Sequence, residues 1–350
     1  MNSPLRLFRI FAAVISMWNK IYVEEAILNS PRVQNILSKT GMVPLVLKTY
    51  DEIWGKSKKP YLHKRDSLNL FLAEKKGQLL KLAPDAYGTA GEPHYYFIHA
   101  YNCIYECQYC YLQGYFNSPD IVLFINHEEI LAEMQKTVDE NSGTRVWFHA
   151  GEFSDSLALT HLTGELALYH DFCKKNPKAV IELRTKSVNT KELLELEPLD
   201  NFIISFSLSP QKVAKEIDLK TPSTKARLKT MSELKKRGYK LAAHFDPIVY
   251  QDTFKSDYQE LLNQMNDSDL TKELDYLSLG VVRFTKDVYR EVERNYPDSV
   301  IHGTPMIKSF DNKVRYNHPM RMWMMNSVKE LALAAGVKSD AIYLCMEEHA

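Results

Sequence analysis

Three cysteines lie within eight residues of the chain, at Cys103, Cys107 and Cys110, with the spacing C-x3-C-x2-C. Cysteine thiolates are the usual ligands of structural zinc and of iron–sulfur clusters. Zinc usually recruits four ligands, and the two other cysteines, Cys173 and Cys345, lie far away in the sequence. A [4Fe–4S] cluster held by only three thiolates keeps one iron open for another ligand. The spacing therefore favours such a cluster, with a zinc knuckle or a chance grouping as the alternative.

This spacing resembles the cysteine motif of the radical S-adenosylmethionine (SAM) superfamily, in which an aromatic residue inside the motif, here Tyr109, is also common. The resemblance implies that SAM binds the open iron through its amino and carboxylate groups. It also implies that an electron from the cluster splits SAM and yields a 5′-deoxyadenosyl radical. The fold that goes with this chemistry is a partial (βα)6 barrel.

The composition is that of a globular protein. At 350 residues, with 45% hydrophobic and 25% charged residues, the chain fits one barrel-sized domain with appendages. The formal net charge is zero, so no overall charge demands a nucleic-acid partner. Only two of the five cysteines lie outside the motif, which excludes a disulfide framework. Reduced thiols and an oxygen-sensitive cluster together predict a cytoplasmic protein.

The apolar stretch of residues 5–18 superficially resembles a short signal peptide. It is too short to span a bilayer as a helix, and no convincing small-residue cleavage site follows it. We therefore predict a protein without a membrane segment, with Met17 as its native start and residues 1–16 as an extension. A secreted protein is the alternative.

Short apolar strands alternate with helical stretches after residue 94, which predicts an α/β fold with a parallel sheet. The predicted strands are His94–Asn102, Thr144–Ala150, Ala179–Thr185, Phe202–Leu208, Lys240–Asp246 and Tyr276–Arg283. Four helices are predicted. The first begins at Asn126, and the others cover residues 162–173, 224–237 and 253–265. The second of these helices places Cys173 on its apolar face, which predicts a core residue.

This pattern divides the chain into three predicted parts. Residues 1–90 form an N-terminal region with helical segments, and residues 48–81 carry nine Lys and Arg against four Asp and Glu. Such a basic stretch is either a solvated face or a place for a phosphate backbone. Residues 91–300 form the radical SAM type of partial TIM-like (βα)6 barrel, and residues 301–350 form a hairpin and helix extension.

The carboxyl ends of the predicted strands carry the other candidate site residues, because chemistry in such barrels lies there. Gly151 and Glu152 end the second strand and resemble the superfamily's G-G-E motif, in which a carboxylate pairs with the SAM amino group. Lys186, after the third strand, is a candidate for the SAM carboxylate, with an ordinary surface lysine as the alternative. Ser205 and Ser207 share one face of the fourth strand and are candidates for the ribose hydroxyls, or are ordinary polar strand residues.

A closer resemblance, to the spore photoproduct lyases, covers nearly the whole chain from residue 20, and loosely the last 60 residues. The matching segments are Cys103–Gln113, Asn126–Ile130, Phe153–Asp155, His161–Thr163, Thr185–Lys186, Phe206–Ser207, Gly238–Leu241 and Arg283–Lys286. These radical SAM enzymes reverse a thymine dimer lesion in DNA. The resemblance implies DNA with a pyrimidine photolesion as the partner and flavodoxin or ferredoxin as the electron donor. It also implies that Tyr109 and Tyr111 relay hydrogen.

One position departs from this family's pattern. The lyases return hydrogen to the substrate from a cysteine whose expected place, just before Phe153–Asp155, is taken here by Glu152. A carboxyl O–H bond is far stronger than a thiol S–H bond, so Glu152 does not replace that cysteine. Either Tyr109, Tyr111 or Cys345 returns the hydrogen, or the enzyme acts on a different substrate, such as a peptide or a small molecule. A non-catalytic zinc or DNA-binding protein is the alternative from another class.

Residues 306–316 predict a β-hairpin with an Asp-Asn turn. The resemblance implies that a hairpin in this region pries the lesion from the duplex, as base-flipping enzymes do. An ordinary surface hairpin is the alternative. The candidates for phosphate contact are Lys308, Lys313 and Arg315, and those for wedging or stacking are Phe310 and Tyr316.

Overall fold

The computed structural model describes residues 17–56, 67–84, 91–309 and 311–347. Its strands are β1 Trp18–Glu24, β2 Leu45–Leu47, β3 Leu68–Ala73, β4 Leu80–Leu82, β5 His94–Phe97, β6 Ala100–Tyr101, β7 Glu106–Cys107, β8 Ile121–Phe124, β9 Val146–Ala150, β10 Ala179–Thr185, β11 Phe202–Ser207, β12 Asp218–Leu219, β13 Leu241–Ile248, β14 Leu274–Val281, β15 Arg283–Thr285, β16 Ile307–Lys308, β17 Lys313–Arg315 and β18 Ile342–Leu344. Its helices are α1 Pro31–Thr40, α2 Leu112–Tyr115, α3 His127–Glu140, α4 Thr160–Thr163, α5 Leu166–Lys175, α6 Gln211–Ile217, α7 Thr224–Lys236, α8 Phe254–Asn266, α9 Lys286–Asn295 and α10 His318–Ala334.

The larger sheet has eight strands in the order β18-β14-β13-β11-β10-β9-β5-β4. All neighbours in it pair in parallel except β4 and β5. Each of the six strands predicted from the sequence contributes a strand to this sheet, next to one another, and the helices predicted between them are present. The prediction of an α/β fold with a parallel sheet is therefore confirmed.

The two faces of this sheet have different neighbours. One face packs against the helices in a single large core, in which Phe148 of β9 and Ile204 of β11 meet Met134 of α3 and Leu228 of α7. The other face turns inward, with a small apolar layer that includes Trp147. Above that layer, toward the carboxyl ends of the strands, the inward side chains are mostly polar. Across the interior, Tyr96 of β5 packs against Cys345, which follows β18, so the sheet curls into a partial barrel.

A second sheet of five strands, in the order β2-β1-β3-β8-β6, lies beside the barrel. It joins strands from both sides of residue 90. Among the described residues of the N-terminal region, α1 is the one α-helix, two short 3-10 helices lie at Glu25–Ile27 and Tyr50–Glu52, and β1 and β3 are strands. Their apolar runs, such as Leu70–Ala73, are buried throughout. A short run in which every residue is apolar shows no periodicity that distinguishes a strand from a helix.

The predicted strand His94–Asn102 is two strands that belong to different sheets. β5 pairs with β9 in the barrel, whereas β6 pairs with β8 in the smaller sheet. Asn102 follows with a positive φ of 64°, which turns the chain away from the extended conformation. The segment that carries the three cysteines therefore begins where the chain crosses from one sheet to the other.

The predicted hairpin is confirmed. β16 and β17 pair antiparallel, with Asn312 at a positive φ of 61° in the turn, and β15 adds a third strand. Phe310, residues 1–16 and residues 57–66 of the basic stretch lie outside the described residues. Within the described ranges, no helix has both the length and the apolar character needed to cross a membrane.

Candidate active site

The cysteine segment runs from β6 to α2, above the carboxyl end of β5. Its middle forms β7, which pairs antiparallel with β12, and the Gln108 N–H donates to the Ile217 carbonyl at 2.8 Å. The Cys110 N–H donates to the Cys107 carbonyl at 3.0 Å. The segment is thus attached to both sheets and to β12, and its backbone is held in place by hydrogen bonds.

The three predicted ligands Cys103, Cys107 and Cys110 line one pocket, together with Tyr105 and Tyr296. In the described part of the chain, no group of three or more His, Cys, Asp or Glu side chains converges on a point that one metal ion could occupy. A cluster differs from a zinc ion here, because each of its thiolates binds a different iron. Three thiols around one pocket are the ligands that a [4Fe–4S] cluster with one open iron requires. Burial raises the pKa of Cys107 to about 12, so a bound cation is what would hold this sulfur as a thiolate.

The two remaining cysteines have different environments. Cys173 is buried in the helix-side core and its thiol lies 3.5 Å from the Asn201 carbonyl, which confirms the predicted core position. Cys345 is 2% exposed but lies on the inner side of the barrel, next to Tyr96.

Gly151, directly after β9, occupies a position that only glycine fits well. Its φ is +97°, and a Cβ there would lie 2.8 Å from both the Arg184 carbonyl oxygen and Ser156 Oγ. The absent side chain allows the loop after β9 to lie directly against the end of β10, beside the cysteine segment.

Glu152 points into the mouth of the barrel. Burial raises the pKa of its carboxyl group, and the positive charge of Arg184 opposes this shift most strongly. The hydroxyl of Tyr111, one residue after Cys110, donates to the Glu152 backbone carbonyl. Glu152 and the cysteine segment are therefore in direct contact.

Lys186 also reaches the cysteine segment. Its Nζ lies 5.4 Å from the centre of the Tyr109 ring, and its charge acts on the Cys107 and Cys110 thiols. Asp155 accepts from the Lys186 N–H at 2.7 Å and from the Thr185 hydroxyl at 2.6 Å, which ties the loop after β9 to the end of β10. A half-buried cation thus lies beside Tyr109 and within electrostatic range of two of the three thiols.

Ser205 and Ser207 do point to the same side of β11, but the structure does not support ribose binding by Ser205. Its side chain is fully buried, and its hydroxyl donates to Glu182. Glu182 also accepts from His244 at 2.8 Å, so Ser205 belongs to a closed polar network deep in the barrel. Ser207 lies one layer nearer the mouth, where Arg184 Nε donates to its hydroxyl at 3.4 Å.

A charged layer at the mouth was missed by the sequence analysis. Arg283 makes two hydrogen bonds of 3.0 Å to the carboxylate of Asp246, and Arg184 lies 3.8 Å from the same group. A Cβ on Gly280 would lie 2.7 to 2.9 Å from the Asp246 carboxyl atoms, so this glycine makes room for the ion pair. The only signal in the sequence was that each charged residue ends or follows a predicted strand.

Three comparisons with known proteins bear on this site. The sequence profile described as "SPL: Spore photoproduct lyase" matches residues 88–316, well over half of the chain. This chain belongs to the spore photoproduct lyase family. Among curated family members, it is 32% identical over 205 residues to the spore photoproduct lyase of Geobacillus sp. (strain Y412MC61) and 28% identical over 202 residues to that of Bacillus subtilis (strain 168). Each alignment covers 57% of this chain and 59% of the relative, so the chain spans about three fifths of the length of the curated relatives it matches.

Solved structures of spore photoproduct lyase share the fold. The complex with dinucleoside spore photoproduct aligns with a TM-score of 0.77 at 19% identity and covers 94% of this chain and 98% of its own. A double mutant with bound AdoMet and dinucleoside spore photoproduct aligns with a TM-score of 0.75 at 20% identity and covers 95% and 99%. The family's fold is therefore present over nearly the whole chain.

The two tyrosines for which the family resemblance implies a hydrogen relay differ in their contacts. The Tyr109 hydroxyl donates to Asp218 at 2.5 Å, and Asp218 forms a fully buried ion pair with Arg227 at 2.9 Å. Tyr109 is thus anchored away from the mouth, whereas Tyr111 touches Glu152 inside it. Tyr111 is the better placed of the two for contact with a ligand.

The candidate DNA contacts on the hairpin differ in their exposure and in their ion pairs. Lys308 is exposed, and Lys313 is half-buried with its Nζ 3.5 Å from Asp311. Arg315 is 3% exposed and pairs with Asp311 at 3.0 Å and Glu347 at 3.1 Å. The structure does not support a phosphate contact by Arg315, because its charge is already paired inside the protein. Tyr316 is fully buried, so it is not a surface wedge either.

Proposed function

We propose that this member of the spore photoproduct lyase family is a radical SAM lyase that acts on a thymine photolesion in DNA. The observation that carries the proposal is that Cys103, Cys107 and Cys110 line one pocket. Lys186 lies against the ring of Tyr109, in the same segment. Family membership supports the choice of reaction, and the expected partner is DNA that contains a pyrimidine photolesion.

The residues present fit the cofactors that this reaction needs. Cys103, Cys107 and Cys110 would hold three irons of a [4Fe–4S] cluster, and the fourth iron would bind SAM. Together these groups supply a 5′-deoxyadenosyl radical when they are bound. Lys186 would pair with the SAM carboxylate and Glu152 with its amino group, and Gly151 allows the backbone to approach closely.

The chain's own side chains then define the substrate side. Arg184, Asp246 and Arg283 close one wall of the mouth with a buried ion-pair layer. Tyr111, the last residue of the cysteine segment, is held against Glu152 by the hydrogen bond to its backbone carbonyl. Lys308 on the hairpin is the most exposed cation of the three proposed DNA contacts and would meet a phosphate.

The test is product analysis with reconstituted enzyme. Anaerobic protein with iron, sulfide, SAM and dithionite is incubated with dinucleoside spore photoproduct, and thymine dinucleoside and 5′-deoxyadenosine are quantified. We expect both products from the native chain and neither from Cys107→Ala, whose iron content also drops. Cys173→Ala is the matched control, because it removes a buried thiol outside the pocket. Native protein that binds zinc in place of about four irons would overturn the proposal.

A second function is favoured by Glu152. Because this carboxylate stands in place of the family's hydrogen-returning thiol, the enzyme can also be read as a radical SAM protein with a peptide or small-molecule substrate. That reading predicts 5′-deoxyadenosine without any thymine product in the same experiment. Flavodoxin or ferredoxin as electron donor, and a cytoplasmic location, remain proposals from the sequence.

A further inference from the structure

The thiol of Cys345 lies at the mouth of the barrel, far in sequence from the other site residues. β18 pairs in parallel with β14, and the Cys345 N–H donates to the Leu279 carbonyl at 2.8 Å. This pairing brings the residue to the carboxyl end of the sheet. Its side chain is 2% exposed and packs against Tyr96 of β5, the strand next to the opposite edge of the curled sheet. The thiol therefore faces the barrel interior and not the helices.

Cys345 shares this position with the charged layer. Arg283 Nη2 lies 3.6 Å from the sulfur, and the same guanidinium holds Asp246. Tyr96 interacts electrostatically with both Cys345 and Glu152. Tyr96 is thus within electrostatic range of both the thiol and the glutamate that occupies the place of the family's cysteine.

Two buried polar atoms beside the thiol point to a ligand in the interior. Ser278 Oγ and His244 Nδ1 have no hydrogen-bond partner among the described residues, although both side chains are at most 1% exposed. The two residues are neighbours in the register of β13 and β14. Ser278 Oγ faces both the Cys345 thiol and the Tyr343 hydroxyl without reaching a hydrogen bond of ordinary geometry to either. Buried polar atoms without partners are rare, so this part of the interior is suited to polar groups that come from outside the chain.

The proposed reaction needs a hydrogen atom at this place. Breaking the bond between two thymines by a radical route leaves a carbon radical on one of them, and this radical must gain hydrogen to become thymine. A thiol gives hydrogen to an alkyl-type carbon radical readily, because its S–H bond is comparable to or weaker than the C–H bond that forms and the transfer is fast. Three of the chain's thiols belong to the proposed cluster, and Cys173 lies in the helix-side core. Cys345 is the remaining one.

We propose that Cys345 is the catalytic residue that gives this hydrogen atom, in place of the thiol that Glu152 replaces. The S–H bond of Cys345 breaks, a C–H bond of the product thymine forms, and a thiyl radical remains on the sulfur. One electron from the low-potential reductant that the reaction already uses, and one proton from water, restore the thiol. This inference rests on the proposed lyase function.

The environment keeps the hydrogen on the sulfur. Burial raises the pKa of Cys345 to about 11, and the nearby charge of Arg283 only partly opposes this shift. At neutral pH the side chain is therefore a thiol and not a thiolate. A thiolate carries no hydrogen atom to give, so the raised pKa agrees with the proposed role.

Turnover in D2O tests the proposal, because a thiol exchanges its hydrogen with solvent. We expect native enzyme to form thymine that carries one deuterium from dinucleoside spore photoproduct. Cys345→Ala and Cys345→Ser should lose at least tenfold in thymine formation while still producing 5′-deoxyadenosine. Cys173→Ala should retain both products. Thymine from Cys345→Ala at the native rate, with the native deuterium content, would overturn the proposal.

A binding measurement separates this inference from the lyase function itself. If native enzyme forms 5′-deoxyadenosine but no thymine, the lyase function has failed before any variant is examined. The position of the thiol is then judged by alkylation of apo-protein with N-ethylmaleimide at pH 9, followed peptide by peptide with mass spectrometry. We expect dinucleoside spore photoproduct to slow modification of Cys345 several-fold and to leave Cys173 unaffected. An unchanged rate at Cys345 would show that the thiol does not lie beside the substrate.

Discussion

Arg283 holds Asp246 with two hydrogen bonds of 3.0 Å each, at the mouth where β13 and β14 end. Burial by itself raises the pKa of Asp246, but the charges of Arg283 and Arg184 outweigh burial and lower that pKa to about 2. The ion pair thus keeps a carboxylate ionised in a largely buried place. Gly280 leaves the space that this arrangement needs.

Removing the arginine should destabilise the fold strongly. Arg283→Gln leaves the Asp246 carboxylate buried with only the more distant Arg184, and breaking a buried pair in this way costs about 3–5 kcal/mol. We expect a loss of that size in the free energy of unfolding at pH 7, measured by urea titration. The double variant Arg283→Gln/Asp246→Asn should recover part of it. Equal stability of native protein and Arg283→Gln would contradict the interpretation.

Lys186 and Ser205 should respond differently to substitution, although the sequence suggested both as SAM ligands. Lys186→Met removes a charge-assisted contact worth about 1.5–3 kcal/mol, which is roughly tenfold to hundredfold in SAM affinity. Ser205→Ala removes a donor to Glu182 and should lower the free energy of unfolding by about 1–3 kcal/mol without a comparable change in SAM affinity. Isothermal titration with SAM and urea unfolding distinguish the two effects. Loss of SAM affinity in Ser205→Ala alone would reverse the assignment.

Glu165 should make stability depend on pH. Burial raises its pKa from 4.5 to about 7. The folded protein therefore keeps this proton up to about pH 7, whereas the unfolded chain loses it near pH 4.5. Stability falls as the pH rises through this window, by up to about 3 kcal/mol, and is level above it.

Glu165→Gln removes this titration while keeping the side-chain shape. The difference in free energy of unfolding between the variant and native protein should shift in favour of the variant from pH 5 to pH 8, measured by urea unfolding at both values. Glu129→Gln, a substitution on the exposed face of α3, is a matched control for the loss of one carboxylate. A gain that is the same at both pH values would contradict the assignment to Glu165.

Substitutions of the two hairpin cations Lys308 and Arg315 should also have different effects. Lys308→Ala removes an exposed charge, so DNA affinity should weaken for every sequence and the salt dependence of binding should drop by about one ion. Arg315→Ala should instead lower stability, because Asp311 and Glu347 lose their buried partner. Fluorescence anisotropy with a labelled duplex at several salt concentrations measures the first effect. If Arg315→Ala lowered the salt dependence of DNA binding by about one ion and left the free energy of unfolding unchanged, the phosphate contact first predicted for Arg315 would be supported.

The sequence predicted the barrel well because its strands are short apolar runs between recognisable helices. β10 was placed to the residue, and the ends of β9, β11, β13 and β14 lie within two residues of the prediction. The N-terminal strands were harder, because β1 and β3 are buried on both faces and carry no alternation. Strand identity was thus predictable where the helix between strands was clear.

The candidate site was predictable only where neighbours in sequence are neighbours in space. The cysteine pocket and Gly151 followed from local motifs. The layer of Arg184, Asp246 and Arg283 did not, because its members come from three strands and meet only when the sheet curls. Ser205 was assigned to a ligand because nothing in the sequence revealed Glu182 opposite it.

The cysteine segment is fastened by backbone hydrogen bonds to β12 and follows a strand of the smaller sheet. Its backbone is therefore held by contacts other than metal ligands, unlike that of small zinc domains that are unfolded without their ion. If the cysteines hold the proposed cluster, iron and sulfide would enter a segment whose backbone is already in place. Oxidative loss of the inorganic core would then leave an intact scaffold, which the cell could refill without making a new polypeptide.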